Sequence, residues 1–277
     1  MEDNIRKLHK VNLEIVKEVI SICEEHNLVY YIIGGTLLGA IRHKGFIPWD
    51  DDIDLGMPRE DYELFLELAP NNLSSHLLVV NYKIDTKYQY YITRVRDTET
   101  KVEELRIGND SKYTNASIDI FPLDGSPNNT LLRKLYYLKV MYHRALMSLC
   151  YKDSIDLARK RSVMEKLLLA TMKLLPIDKI FDPTKEKNKI DRIMRKYKVL
   201  SSNYVGCLMG AYRTREMVPA SFYGEGAFYS FEDIMLRGPK DYDRFLTMVY
   251  GDYMELPPVE ARKTHFKIIE IKGEEIK

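Results

Sequence analysis

Cysteine is scarce in this chain, with three among 277 residues. Cys23, Cys150 and Cys207 lie far apart without a C-x-x-C pair, which excludes a disulfide framework and a cysteine zinc site. The six histidines are scattered, with no H-x-x-x-H or H-x-H pair to chelate a transition metal. No apolar run approaches the roughly 18 residues of a spanning helix. The opening MEDNIRKLHK lacks the basic-then-apolar order of a signal peptide, so a cytoplasmic location is expected. A formal net charge of +1 removes any global pull toward polyanions, and no nucleic-acid partner is expected.

What is present is ordinary globular material, 45% hydrophobic and 30% charged, enough for one large domain or two modest ones. Ile5, Leu8, Val11, Ile15, Val19 and Ile22 recur at three- and four-residue steps and predict an amphipathic helix over residues 3–27. VYYIIGGT from Val29 reads as a buried strand ending at Gly34 and Gly35, and TLLGAIRH as a short helix. Backbone N–H groups at such a turn and helix start can receive phosphate oxygens. A helix over 59–69 follows, then strands at 77–82, 90–96 and 116–121. FYSFEDIML reads as one further strand, with a helix near 239–249.

The most informative stretch is GGTLLGAIRHKGFIPWDDDIDLGMP, residues 34–58, which packs Asp50, Asp51, Asp52 and Asp54 into five positions between Ile47, Trp49, Ile53 and Leu55. Like charges beside a core repel and are costly to desolvate, so a cation is expected there. On a strand, the period of two points Asp50, Asp52 and Asp54 to one face and Ile53 and Leu55 to the other. Hard oxygen ligands of this kind suit magnesium or manganese held together with substrate phosphates. A calcium loop fails, because the sixth place of its register is Leu55 rather than glycine and the ninth is Pro58. In SIDIFPLDG, Asp119 sits between Ile118 and Ile120. It either completes a carboxylate triad or accepts a nearby backbone hydrogen bond.

Arg42, His43 and Lys44 form a cationic run at the end of the short helix, with Arg42 the best placed for two phosphate oxygens. Between Arg133 and Lys173 there are ten lysines and arginines against three acids. That is either a solvated helix face or a face for an anionic membrane surface or lipid-linked phosphate.

A glycine pair after a strand, a short helix, D-x-D, and a third aspartate on a later strand resemble, in that order, the nucleotidyltransferase superfamily. More narrowly, GGTLLGAIRHKGFIPWDDDIDLGMPREDYELF, IDIFPLDG and YGDYMELPP followed by His265 resemble the LicD family of phosphocholine transferases and its fukutin-type relatives. The resemblance implies an α+β fold, a mixed sheet flanked by helices with an added helical layer. It divides the chain into a catalytic core at 1–128, a basic helical insertion at 129–200 and a segment at 201–277 that packs back on the core. It implies metal-assisted transfer of a phosphoalcohol group, phosphocholine from CDP-choline above all, to a sugar hydroxyl of a teichoic-acid-type glycan or lipid-linked glycan, with CMP leaving. Asp52, Asp54 and Asp119 match the metal carboxylates, and Gly34, Gly35 and Thr36 the donor-phosphate turn. A quaternary ammonium is held by aromatic faces and a carboxylate, for which Trp49, Tyr90, Tyr91 and Glu232 are candidates, the three aromatics having a buried core role as their alternative; His43 and Lys44 also lie on the donor, or Lys44 is simply solvated. Contact with the inner face of the membrane would fit the basic helices. The competing readings are a nucleotidyltransferase attacking an NTP α-phosphate and a non-catalytic nucleotide-binding scaffold.

Overall fold

The computed structural model describes residues 2–105, 112–151, 181–262 and 264–276. Helix α1, Glu2–Glu25, buries Ile5, Leu8, Ile15, Val19 and Ile22 along one stripe, as their spacing requires. The chain then makes strand β1 (Tyr31–Ile32), helix α2 (Gly34–Arg42), strand β2 (Asp54–Pro58) and helix α3 (Arg59–Asn72). Strands β3 (Leu77–Val80), β4 (Thr93–Glu104) and β5 (Lys112–Gly125) follow, and helix α4 (Thr130–Cys150) leaves the sheet. Asn129 caps α4 by accepting from the N–H groups of Leu131 and Leu132. Helix α5 (Pro183–Met194) has Pro183 in its first turn and Asp182 as cap.

The central sheet runs β1-β2-β5-β4, with β3 and a returning strand β10 (Phe266–Ile271) both antiparallel to β4, while two short strands, β6 (Tyr204–Gly206) and β7 (Val218–Pro219), pair in turn from the end of β5. Strand β2 is parallel to β5, pairing Asp54 with Asp119 at one end and Pro58 with Leu123 at the other. Leu55, Met57, Ile118 and Ile120 face a core that also holds Val16, Val19, Leu37 and Phe65. Each such aliphatic or aromatic side chain contributes about 1.5–3 kcal/mol on burial. The result is an α+β architecture with a mixed sheet.

Two local expectations are corrected. Strand β2 begins only at Asp54, so Asp50–Ile53 lie on the loop before it and not on a strand face. FYSFEDIML is a hairpin, β8 (Ala227–Phe231) and β9 (Ile234–Gly238), turning at Glu232, whose φ is +53°. Tertiary ties explain the first difference, because hydrogen bonds from α1 and from the backbone of residues 265 and 266 hold the loop off the sheet. Of the ten basic residues between 133 and 173, those from Lys152 onward lie outside the described residues.

Candidate metal and donor site

The acidic loop is held from both termini. From α1, His9 Nε2 meets the Asp50 carbonyl at 2.6 Å and Asn12 Nδ2 donates to the Asp51 carbonyl at 2.9 Å. The His9 ring stacks on Phe46 at 4.0 Å. From the tail, the backbone N–H groups of His265 and Phe266 both donate to Asp51 Oδ2, the second at 2.7 Å, and His265 Nδ1 lies 3.2 Å from Oδ1. Asp51 is therefore a buried tie between β10 and the loop, its charge spread over two N–H donors.

Asp50 and Asp54 turn toward the start of α2. Gly34 sits at φ +57°, and a Cβ there would fall 2.5 Å from Asp54 Oδ2. A Cβ on Gly35 would fall even closer to Asp50 Oδ2. The glycine pair is thus required by the carboxylates that rest on it, beyond the turn itself. Thr36 Oγ1 accepts from the Asp54 N–H at 2.8 Å and fixes β2 to the first turn of α2. That helix start has no side-chain cap, and the dipole there favours anions.

Burial, then the charges of Asp52 and Asp51, raise the Asp50 carboxyl well above its ordinary range, and its side chain is hydrogen-bonded to Asp52. Burial, then Asp52, Asp119 and Asp50, do the same to Asp54. A donor set of hard oxygens driven toward protonation by mutual repulsion fits a divalent cation, which reverses that penalty. Among the described residues, ligand atoms of Asp50, Asp51 and His265 also lie within 4.8 Å of one another.

Asp119 stands beside Asp54 in register. Its carboxylate is bound by Arg94, with Nε at 2.7 Å and Nη2 at 3.4 Å, so its partner is a guanidinium. Arg42 donates from Nη1 to the carbonyls of Tyr253 (2.8 Å) and Glu255 (3.4 Å), tying α2 to the YGDYMELPP segment. His43 lies edge-on to Trp49 at 6.2 Å, and one face of Trp49 carries Arg262 at 4.9 Å. Lys44 is exposed at φ +60°, and its carbonyl accepts from the Glu232 N–H. Glu232 Oε1 accepts from the Phe46 N–H at 3.0 Å, so this carboxylate holds the 44–46 loop. Tyr90 covers Arg94 at 4.3 Å, whereas Tyr91 hydrogen-bonds Asp191 in the core.

Glu216 and Tyr212, which the sequence did not single out, and Tyr250, the first residue of YGDYMELPP, belong to this neighbourhood. Glu216 is pushed up to about 7 by burial, and its charge acts on Asp54, Tyr212 and Tyr250. Tyr212 and Tyr250 meet edge to face at 4.9 Å, and the charge of Asp50 acts on both. Their wide separation in sequence hid them. A cleft of about 420 Å³ lined by Arg59, Glu63, Asp124 and Arg195 lies at the opposite end of β2 and β5. Its two arginines are already paired, Arg59 to Asp124 at 2.5 Å and Arg195 to Asp191 at 2.9 Å.

Comparison with known proteins places this region in a family. Residues 27–157 match the LicD/FKTN/FKRP nucleotidyltransferase domain. The chain is 29% identical over 272 residues to the lipopolysaccharide cholinephosphotransferase LicD of Haemophilus influenzae, covering 94% of this chain and 95% of that one. It is 46% identical over 57 residues to an uncharacterized protein of Rickettsia prowazekii, 21% of each chain. It is also 46% identical over 48 residues to human ribitol 5-phosphate transferase FKRP, 17% of this chain and 10% of that one. The α+β fold is nucleotidyltransferase-like, and residues 27–157, which carry the glycine pair, the acidic loop and Asp119, are a LicD-family nucleotidyltransferase domain.

Proposed function

We propose that the protein transfers a phosphoalcohol group, phosphocholine from CDP-choline, to a sugar hydroxyl of a cell-surface glycan, releasing CMP. The observation that carries this is the seating of Asp50 and Asp54 on Gly35 and Gly34, which places paired carboxylates directly against an uncapped helix start. Phosphoryl transfer needs charge neutralisation and alignment above all. Asp52, Asp54 and Asp119 would hold magnesium or manganese, and the bound ion would supply neutralisation of the donor's phosphate charge. Gly34, Gly35 and Thr36 offer backbone N–H groups to the donor, and Arg42 stands at the other end of the same helix. Asp119 receives the proton of the attacking hydroxyl, and Arg94 positions its carboxylate.

Choline is favoured over a polyol because Tyr212 and Tyr250 bring two rings inclined at 75° beside the acidic loop, with the Glu216 carboxyl, which accepts from the Tyr212 N–H, next to them. A quaternary ammonium takes that combination, since it donates no hydrogen bonds. This shifts the cage from Trp49, whose ring already carries Arg262. The acceptor is of the teichoic-acid or the lipopolysaccharide type; the H. influenzae relative is a lipopolysaccharide cholinephosphotransferase. No helix among the described residues is long and apolar enough to cross a membrane. Leu131, Leu135, Leu138 and Tyr142 are exposed along α4 next to Lys134 and Lys139, and this supports peripheral contact with a lipid-linked acceptor at the membrane's inner face.

The test is thermal stabilisation by CDP-choline, CDP-glycerol, CDP-ribitol, CMP and NTPs, each with magnesium or with EDTA, followed by product analysis. A magnesium-dependent shift selective for CDP-choline, with CMP released, supports the reading. Shifts confined to NTPs, with pyrophosphate released, replace it with nucleotidyl transfer. Metal-independent binding without turnover replaces it with a scaffold.

A further inference from the structure

Strand β4 presents two arginines to the same face as the acidic site. Its alternate residues Thr93 and Val95 are fully buried on the other side, where Thr93 bonds Tyr62 and Asn81. Arg94 and Arg96 therefore share the open face. The register sets Arg94 opposite Asp119 and Arg96 opposite Ser117 on β5, while Asp119 lies beside Asp54 on β2. One row across the sheet reads Asp54, Asp119, Arg94. The adjoining row, about 7 Å along the strands, carries Ser117 and Arg96.

The two arginines differ in what they hold. Arg94 is engaged by Asp119. Arg96 has no ion pair among the described residues, and its buried Nε has no hydrogen-bond partner. Tyr88, whose ring lies 5.4 Å from the Arg96 guanidinium, has a buried Oη that also lacks a partner among the described residues. The segment carrying Tyr88 is pinned in place, because the fully buried Lys187 of α5 donates to the Tyr88 carbonyl. Leaving a guanidinium N–H and a phenol hydroxyl buried and unpaired in a fixed frame is costly, and an incoming anion removes both costs.

Position decides which substrate brings the anion. The glycine turn and α2 lie on the β1–β2 side of the carboxylates, and Arg96 lies on the β4 side. Attacking and leaving oxygens are roughly in line through the transferred phosphorus. With the donor diphosphate on α2, the acceptor enters over β4. We propose that Arg96, with Ser117 and Tyr88, binds an anionic group of the acceptor, a phosphate ester on or next to the sugar that bears the attacking hydroxyl. The term acceptor rests on the phosphoalcohol-transfer reading; the anion subsite does not.

The experiment has two arms on the full chain. In the first, inorganic phosphate is titrated calorimetrically with CMP and magnesium saturating the donor side. Arg96→Gln should weaken phosphate binding roughly tenfold or more, the loss of one charge-assisted contact, and Arg96→Lys should fall between it and wild type. Phosphate affinity unchanged in both variants, or no saturable binding to the wild type, overturns the subsite. In the second, CMP release from CDP-choline is followed with a hexosamine and with its 6-phosphate as acceptors. Arg96→Gln should raise KM for the phosphorylated acceptor by about the same factor and leave KM for the neutral sugar and for the donor unchanged. Equal loss for both acceptors, or loss of donor affinity, overturns the assignment to the acceptor. If no CDP-alcohol yields CMP, the transfer reading fails while the phosphate titration still decides the subsite.

Discussion

Replacing Gly35 by alanine adds one methyl group at a position where nothing about the backbone objects, since Gly35 is not among the glycines with positive φ. The cost falls entirely on Asp50. A Cβ would sit closer to Asp50 Oδ2 than the 3.0 Å that such atoms keep, with Asp50 Cγ behind it at 3.4 Å. Relieving that contact displaces the carboxylate by about 1 Å, an error that in a preorganised site costs about a hundredfold in rate. Alanine is favoured over glycine in a helix by up to about 1 kcal/mol, so the melting temperature should hold or rise. The assay is CMP release from CDP-choline at saturating magnesium, beside a thermal melt in EDTA. Gly34→Ala is the control: its Cβ would fall 2.5 Å from Asp54 Oδ2, and at φ +57° it adds left-handed strain of about 1–2 kcal/mol. It should lose both activity and stability. If Gly35→Ala turns over within threefold of wild type, the carboxylates seated on the glycine pair do not serve the reaction.

Asp54→Asn should abolish turnover and the magnesium-dependent thermal shift while leaving the EDTA melt unchanged or higher, because it removes one of several mutually repelling acids; retained turnover would sink the metal assignment. Arg42→Ala should weaken the thermal shift given by a CDP-alcohol, and unaltered donor affinity and rate would end its phosphate role. Asp124→Asn removes the buried partner that Arg59 binds at 2.8 and 2.5 Å. It should destabilise by about 3 kcal/mol and leave turnover per folded molecule intact, so an unshifted melt would refute the structural role of that pair. Burial raises Glu216 from 4.5 to about 7. Folding therefore takes up a proton between those values, and metal-free stability should fall by up to about 3 kcal/mol as pH rises from 4.5 to 7. Melts in EDTA should show a slope of this sign, to which the raised Asp50 and Asp54 carboxyls add; Glu216→Gln should make it shallower, and a flat wild-type profile would contradict the burial argument.

What was legible in the sequence and what was not divide along a physical line. Apolar residues at three- and four-residue steps announced α1, because a helix face is a local property, and alternation announced β5 around Ile118 and Ile120. The acidic loop was legible as chemistry and misread as geometry. The period of two would align Asp50, Asp52 and Asp54 on one strand face, yet the strand starts at Asp54 because tertiary ties prevail over the local pattern. Those ties come from His9 and Asn12 on α1 and from the backbone of residues 265 and 266, more than 200 positions away. Arg94 was hidden for the same reason: within TRVRD it looks like any outward strand cation, and only the antiparallel register sets it opposite Asp119. Glu232 shows the converse error, a carboxylate that looked available for a ligand but accepts from the Phe46 N–H. A sequence states which charges a site contains. Which of them remain free for substrate depends on pairings set by register and chain return, and in this fold those pairings consume Asp51, Glu232 and Arg94 while leaving Arg96 Nε without a partner.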